Sequence, residues 1–290
     1  MLTGPTNHRR RLGAGLRELR ERRSLRIEEV ADHLGVAAST LSRIETGKAP
    51  TKTSYLKLLL DLYGVDDPAR RRDLANLARE GQRKGWWAAD EDVLPAGYGT
   101  YLGLETEAVR LRIYAAQVVP ALLRTGPYAA AVTAAARPEL SAGQRARLTG
   151  VQLRRQDLLS RAAEPGGGDP VLADVVLDES VLLRAMGEDG LMRDQLGRLA
   201  EVAAQPGVTI RVLSLAGAGP RDPAGSFAIV SFPPGNGGDV ACAEGIRGQV
   251  LFEQRAAEVA AVGQVFDSLR RAALPGPGSL ALIRERAGRP

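Results

Sequence analysis

The side chains able to do chemistry are few and unevenly spread. The 290 residues include one cysteine, Cys242, and two histidines, His8 and His33. No internal disulfide and no Cys/His zinc cluster can be assembled from them, and a lone thiol suits a reducing compartment. There is no GxxxxGKS/T phosphate loop, no GxSxG nucleophile elbow, no HExxH helix and no GxGxxG after a strand. GAG at 217–219 is too short to imply dinucleotide binding. The carboxylates best placed for acid–base work are Asp178 and Glu179 at the end of one apolar run, Asp222 after another, and Glu244. Ligands of open α/β sheets collect beyond the strand carboxyl ends, so a pocket bounded by Arg211, Asp222 and Glu179 can be drawn. Against it, Asp178 and Glu179 directly precede an apolar helix, where an acidic cap and first-turn charge need no catalytic duty. The balance predicts no catalytic residues, no metal and no cofactor.

The cations are more telling. The formal net charge is +5, yet residues 1–85 carry 18 Lys+Arg against 11 Asp+Glu, a balance of +7 that leaves −2 for the remainder. With 44% apolar and 25% charged residues the chain is globular, long enough for two ordinary domains or one large one. Pro120, Arg124 and Pro127 interrupt the Ala-rich stretch 115–136, so no run reaches the ~18 apolar residues of a membrane span. The opening MLTGPTNHRRR lacks the apolar core of a secretion signal. The expected location is the cytoplasm.

The elements that must carry the N-terminal cations read as short helices. Leu12, Leu16 and Leu19 recur at helical steps among Arg and Glu, which predicts an amphipathic first helix with a basic solvent face. A second runs from about Ile27 to Leu34, with Val30, Ala31 and Leu34 on one side and Gly35 as its C-terminal cap. A third begins after Ala37, with Leu41 and Ile44 apolar and Gly47 closing it. A fourth, about Ser54 to Tyr63, is expected to bury Tyr55, Leu58, Leu59 and Leu62. Two short helices joined by a Gly-containing turn inside a four- or five-helix unit make a helix-turn-helix.

The run IEEVADHLGVAASTLSRIETGKAP resembles the helix-turn-helix of the XRE/Cro/C1 repressor family. The match lies at Ala31 where the helices cross, at Gly35 and Val36 of the turn, at Leu41 and Ile44, and at Glu45-x-Gly47-Lys48. The resemblance implies an all-α, lambda-repressor-like domain over residues 8–75 that puts its third helix into the major groove of double-stranded operator DNA. It implies that Ala38, Ser39, Ser42 and Arg43 face the groove. Arg43 alone could make a bidentate contact to guanine, worth about 1–3 kcal/mol of discrimination; the blander reading is a solvated helix charge. Ser39 or Thr40 could donate to a base or phosphate, and Ala38 could touch a thymine methyl. Arg20, Lys48 and Lys52 fit phosphate anchoring. Departures from the family pattern are Arg26 and Ala37 at the two N-caps, where Ser or Thr is common, and Ile27 in place of a polar residue. They predict modest affinity per half-site, compensated by a homodimer.

Residues 76–97 read as a basic, aromatic linker. Arg70, Arg71 and Arg72 just ahead of it either extend the DNA face or are simply solvated, and Trp86-Trp87 either anchors the linker to the next domain or forms a ligand cage or stacking surface. From Tyr98 the sequence resembles DUF5753, a domain that follows an XRE helix-turn-helix in many actinobacterial regulators. The resemblance is carried by Tyr101–Glu105 (YLGLE), by Val119-Pro120-Ala121-Leu122-Leu123-x-Thr125 with Tyr128-Ala129, and by Arg154-Arg155-Gln156. Leu177-Asp178-Glu179, Met192-x-x-Gln195-Leu196 and Ile210-x-Val212-Leu213 complete it.

Residues 98–285 are expected to form a mixed α/β domain. Helices are predicted at Glu105–Tyr114, Tyr128–Ala136, Gly143–Arg161, Ser180–Met186, Met192–Ala204 and Phe252–Ala273. PGGGDP at 165–170 reads as a loop, and VLADVVL, VTIRVLSL, SFAIVSF and DVACAEG as strands, the first two parallel and the last two an antiparallel hairpin. The expected function is a sequence-specific transcriptional regulator whose second domain senses a ligand or a small companion protein, the latter implied by the resemblance. The alternatives are an antitoxin-like interaction module whose DNA binding is autoregulatory, and a small-molecule enzyme.

Overall fold

The computed structural model describes residues 5–160, 170–187, 190–216 and 225–288. They divide near Ala88 into two compact units. The loop expected at 165–170, the GAG at 217–219, Asp222 and the helix end at Arg161 lie, wholly or almost so, outside the described residues.

The first unit is five helices: α1 Thr6–Arg22, α2 Ile27–Leu34, α3 Ala38–Glu45, α4 Thr53–Leu62 and α5 Pro68–Gly81. Leu12, Leu16, Val30, Ala31, Leu41 and Ile44 form one core with Leu56, Leu59, Leu60, Tyr63, Leu74 and Ala78. The turn after α2 works as its sequence predicts: Gly35 takes φ 64°, ψ 38° and its N–H closes the helix onto Ala31 and Asp32 carbonyls, a conformation that costs glycine no Cβ clash. Gly13 is equally specific, since a Cβ there would run into the Ile44 and Glu45 carbonyls. Its absence lets α1 lie directly on the end of α3. Two expectations change here. The buried stripe of α4 is Leu56, Leu59 and Leu60, while Leu58 is 43% exposed and Tyr55 and Leu62 are only partly buried. The expected boundary after residue 75 falls inside α5, whose Leu74 and Ala78 belong to this core.

The second unit is a mixed six-stranded sheet with helices. In chain order it comprises α6 Tyr98–Thr106, β1 Arg110–Ala115, α7 Gly126–Ala136, α8 Ala142–Arg154, β2 Leu172–Asp178, α9 Ser180–Leu183, α10 Leu191–Val202, β3 Val208–Leu213, β4 Phe227–Ser231, β5 Val240–Glu244, β6 Val250–Glu253, α11 Ala256–Ala272 and α12 Gly276–Ala287. The strand order is β3-β2-β1-β4-β5-β6. β1, β2 and β3 pair in parallel, and β4, β5 and β6 continue antiparallel from β1. Tyr114, Val176, Ile229 and Ala241 on one face pack against Val259, Phe266 and Leu269 of α11. At the β3 edge, Val212 donates its N–H to Ser279 Oγ (2.9 Å) and its carbonyl accepts from Leu274 N–H (2.9 Å), so the start of α12 caps part of an otherwise open ladder.

The parallel pair and the hairpin stand as expected from the sequence. The helix expected over Glu105–Tyr114 does not: α6 ends at Thr106 and β1 takes over at Arg110. Phe252 lies in β6 rather than at the start of a helix, and α12 was not anticipated.

Candidate nucleic-acid interface

The face that α3 presents follows from its apolar spacing. With Leu41 and Ile44 at 0% and 2% exposure, the helical repeat turns Ser39, Ser42 and Arg43 outward, and all three are exposed. Ala38 and Thr40 are half-buried at the margin. The Arg43 side chain has no hydrogen bond or ion pair among the described residues. Its carbonyl accepts from Lys48 and Ala49 N–H groups (2.8 and 3.0 Å), folding the chain back over the end of α3 through Gly47. Lys48 is exposed just beyond that turn, and Lys52 is exposed at the N-cap of α4, its Nζ 5.4 Å from the Tyr55 ring centroid. The α2–turn–α3 segment therefore shows one hydroxyl- and guanidinium-bearing helix face with two lysines in the chain just after it.

The two weak caps fare differently. Arg26 offers no side-chain acceptor to the start of α2, but the carboxylate of Glu29 reaches back to accept the Arg26 N–H at 2.7 Å, satisfying one end-group from the other side. Ala37 has extended backbone angles and no such rescue, so the first N–H groups of α3 gain no side-chain partner from the cap.

Arg20, expected from the sequence to anchor phosphate, is engaged inside the first unit instead. Its Nε and Nη2 donate to the two carboxylate oxygens of Glu45 at 2.7 and 2.9 Å, and its Nη1 donates to the Leu25 carbonyl at 2.9 Å. The pair is largely buried, with 12% and 4% side-chain exposure. Hydrogen bonding to the Glu45 carboxylate is the main reason the Arg20 guanidinium holds its proton more firmly than usual. A forked charge pair of this kind fixes geometry; here it ties α1 to the end of α3. Arg71 is held likewise, by the Val65 carbonyl (2.5 Å) and Asp61 (2.6 Å), whereas Arg70 and Arg72 are exposed. Trp87 is buried and Trp86 half-buried, their rings edge to face at 5.7 Å between centroids.

In the second unit the residues that stood out in the sequence turn out to be ties between segments. Arg155 forks onto Glu105 (2.7 Å twice) and donates to Tyr98 Oη (2.6 Å), all three buried. Gln156 donates to the Ala121 and Arg124 carbonyls, and Gln195 accepts from Thr125 N–H while donating to the Leu123 carbonyl. The 119–125 segment is thus held from two sides. Asp178 accepts the Ser180 N–H at 3.0 Å, the capping duty weighed from its position. Glu179 is spent on Ser214 Oγ, Leu215 N–H and Arg286. Burial works to raise its carboxyl, but those three donors outweigh burial and hold it below the usual carboxylate range. Arg211 Nη1 makes a long contact to the Arg270 carbonyl (3.5 Å), and Glu244 is exposed on β5.

No helix among the described residues is long and apolar enough to cross a membrane. Against known families, residues 11–74 match a helix-turn-helix domain and residues 98–285 match a domain of unknown function, DUF5753. No curated protein and no solved structure matches the chain. A helix-turn-helix domain is the hallmark of a DNA-binding regulator, and it points away from an enzyme as the protein's primary role. The chain belongs to the DUF5753 family and carries its helix-turn-helix domain ahead of the family domain.

Proposed function

We propose that the protein is a sequence-specific transcriptional regulator of the XRE type, acting as a homodimer in the cytoplasm. The observation that carries this reading is the exposed face of α3, where Ser39, Ser42 and Arg43 stand clear of the core that Leu41 and Ile44 fill. Arg43 reads a guanine edge through its fork, Ser39, Thr40 and Ser42 supply shorter contacts, and Ala38 meets a thymine methyl. Lys48 and Lys52 hold phosphates and set register without reading sequence. Two copies related by a twofold axis place their α3 helices about 34 Å apart, which calls for a palindromic operator. Residues 98–285 form the sensing half, responsive to a ligand or a small companion protein.

Selection from a random duplex library tests the reading. Full-length protein should enrich one recurring sequence with two symmetric half-sites spaced by about ten base pairs. Retention of all duplexes alike, at low salt only, would reduce the protein to a non-specific polyanion binder and overturn it.

A further inference from the structure

The parallel strands gather positive charge that they do not balance. Side chains alternate along a strand, so Arg110 of β1, Leu172 and Asp174 of β2, and Thr209 and Arg211 of β3 share the sheet face that α11 covers. Arg270, in the last turn of α11, joins them from above. Asp174 is 7% exposed and answers two of these arginines. Its Oδ2 accepts from Arg110 Nη2 at 2.5 Å, while its Oδ1 lies 3.6 Å from Arg270 Nε, an ion pair too long for a hydrogen bond. Arg211 has no carboxylate partner among the described residues, and its Nη1 makes only the long contact to the Arg270 carbonyl (3.5 Å). The Nε groups of Arg211 and Arg270 are both buried, and neither has a hydrogen-bond acceptor among the described residues.

Three guanidinium groups against one carboxylate leave a surplus of two positive charges. The neighbouring charges do not alter that sum: Arg112 pairs with Asp239 (3.4 Å), and Arg271 and Asp267, one of each sign, are both exposed on α11. Arg155 shows what a structural tie looks like, because there one glutamate answers one arginine through two short hydrogen bonds. The cluster is also open to solvent. The side chains of Arg110 and Arg270 are 47% and 41% exposed, and Leu172 on the same face is 48% exposed. Buried N–H groups without acceptors are costly and rare. The cluster thus lacks acceptor oxygens and two negative charges, and an apolar side chain stands beside it.

We infer that Arg110, Arg211 and Arg270 form a binding site for the phosphoryl group of a small organic phosphomonoester, whose carbon skeleton lies along Leu172. A phosphomonoester brings three acceptor oxygens and close to two negative charges at neutral pH, and its geometry suits guanidinium forks. A carboxylate or a phosphodiester brings only one charge. Inorganic phosphate matches the charge but leaves Leu172 uncovered. The inference rests on the reading of residues 98–285 as the sensing half and names its ligand class.

Calorimetric titration of the full chain without DNA tests it, so that its outcome is independent of operator binding. At pH 7.5 and constant ionic strength, phenyl phosphate should bind saturably, inorganic phosphate more weakly, and the monoanion dimethyl phosphate about tenfold more weakly or worse. Lowering the pH to 5 protonates most of the phosphomonoester, whose second pKa is about 6, and should weaken phenyl phosphate binding about tenfold. Arg211→Gln should abolish binding. Since Arg211 is half-buried, Thr209→Glu gives an independent block: this exposed residue lies beside Asp174 in the strand register, and the substitution brings a repelling carboxylate to the cluster. Equal binding of phenyl and dimethyl phosphate, no saturation by phenyl phosphate in the millimolar range, or undiminished binding by Thr209→Glu would each overturn the inference. Weaker duplex binding by Arg211→Gln, with no phenyl phosphate bound by the parent, would assign the cluster to the DNA backbone and overturn it as well.

Discussion

Among the individual residues, what decides a cation's role is the neighbour it finds. Arg20 and Lys52 look alike as basic positions of one small domain, yet Glu45 takes the Nε and Nη2 donors of Arg20 and nothing comparable neutralises exposed Lys52. Removing Arg20 strands the buried Glu45 carboxylate. Arg20→Ala should therefore destabilise the first unit by about 3 kcal/mol in thermal or urea unfolding, with no change in the salt slope of DNA binding where the protein stays folded. A reduced slope with unaltered stability would return Arg20 to the phosphate contacts. Glu179 carries a second prediction. Its folded carboxyl titrates low, so its contribution is complete above the unfolded value of about 4.3 and is lost as pH falls through the folded value. Glu179→Gln should unfold at a lower temperature than the parent at neutral pH, and the gap should close as pH falls through the lowered folded value. A gap independent of pH would mean that the charge is not what matters there.

The elements show where one-dimensional reading succeeds and where it stops. α2 and α3 were legible because their caps, small crossing residue and apolar spacing are all local. The phase of α4 was not. Leu56, Leu58, Leu59, Leu60 and Leu62 satisfy helical periodicity on two faces, and only packing against α5 and α2 selects Leu56, Leu59 and Leu60. Leu60→Ala should then cost about 2–5 kcal/mol, while Leu58→Ala should change the unfolding midpoint little. The reverse order would restore the stripe expected from the sequence. β1 was hidden because it follows a helix without a Gly or Pro break, although Leu111 and Ile113 between arginines already alternate as a strand does. β6 has only four residues ahead of α11, and α12 opens with Gly-Pro-Gly, which reads as a turn but here puts proline in the first helical turn. Among site residues, the outward face of α3 could be read from spacing. The capture of Arg20 by a residue 25 positions away could not, and neither could the gathering of Arg110 and Arg270 on Asp174. Ala37 offers a separate check. Its backbone is already extended as an N-cap requires, so Ala37→Ser should stabilise the first unit by about 1 kcal/mol. No gain in unfolding temperature would show that the α3 N–H groups already have partners.

For the molecule as a whole, charge and chemistry are divided. The basic excess lies in residues 1–85 and the remainder is slightly acidic, so attraction to a polyanion belongs to the helical unit. The larger unit invests its buried arginine, glutamate and glutamine side chains in holding the 119–125 segment and its surroundings, which suits a domain that reports occupancy rather than one that turns over substrate. On the proposed reading, coupling between the halves requires only that residues 98–285 favour one dimer geometry over another. The most direct measurement is competition gel-shift at graded salt with the selected duplex and a scrambled one, comparing the parent with Arg43→Ala and Lys52→Ala. Arg43→Ala should erase most of the preference for the selected duplex, a change of about 1–3 kcal/mol per half-site, with its salt slope nearly kept. Lys52→Ala should weaken both duplexes alike and lower the slope by about one per half-site. Equal losses from the two substitutions on both duplexes would contradict major-groove reading by α3.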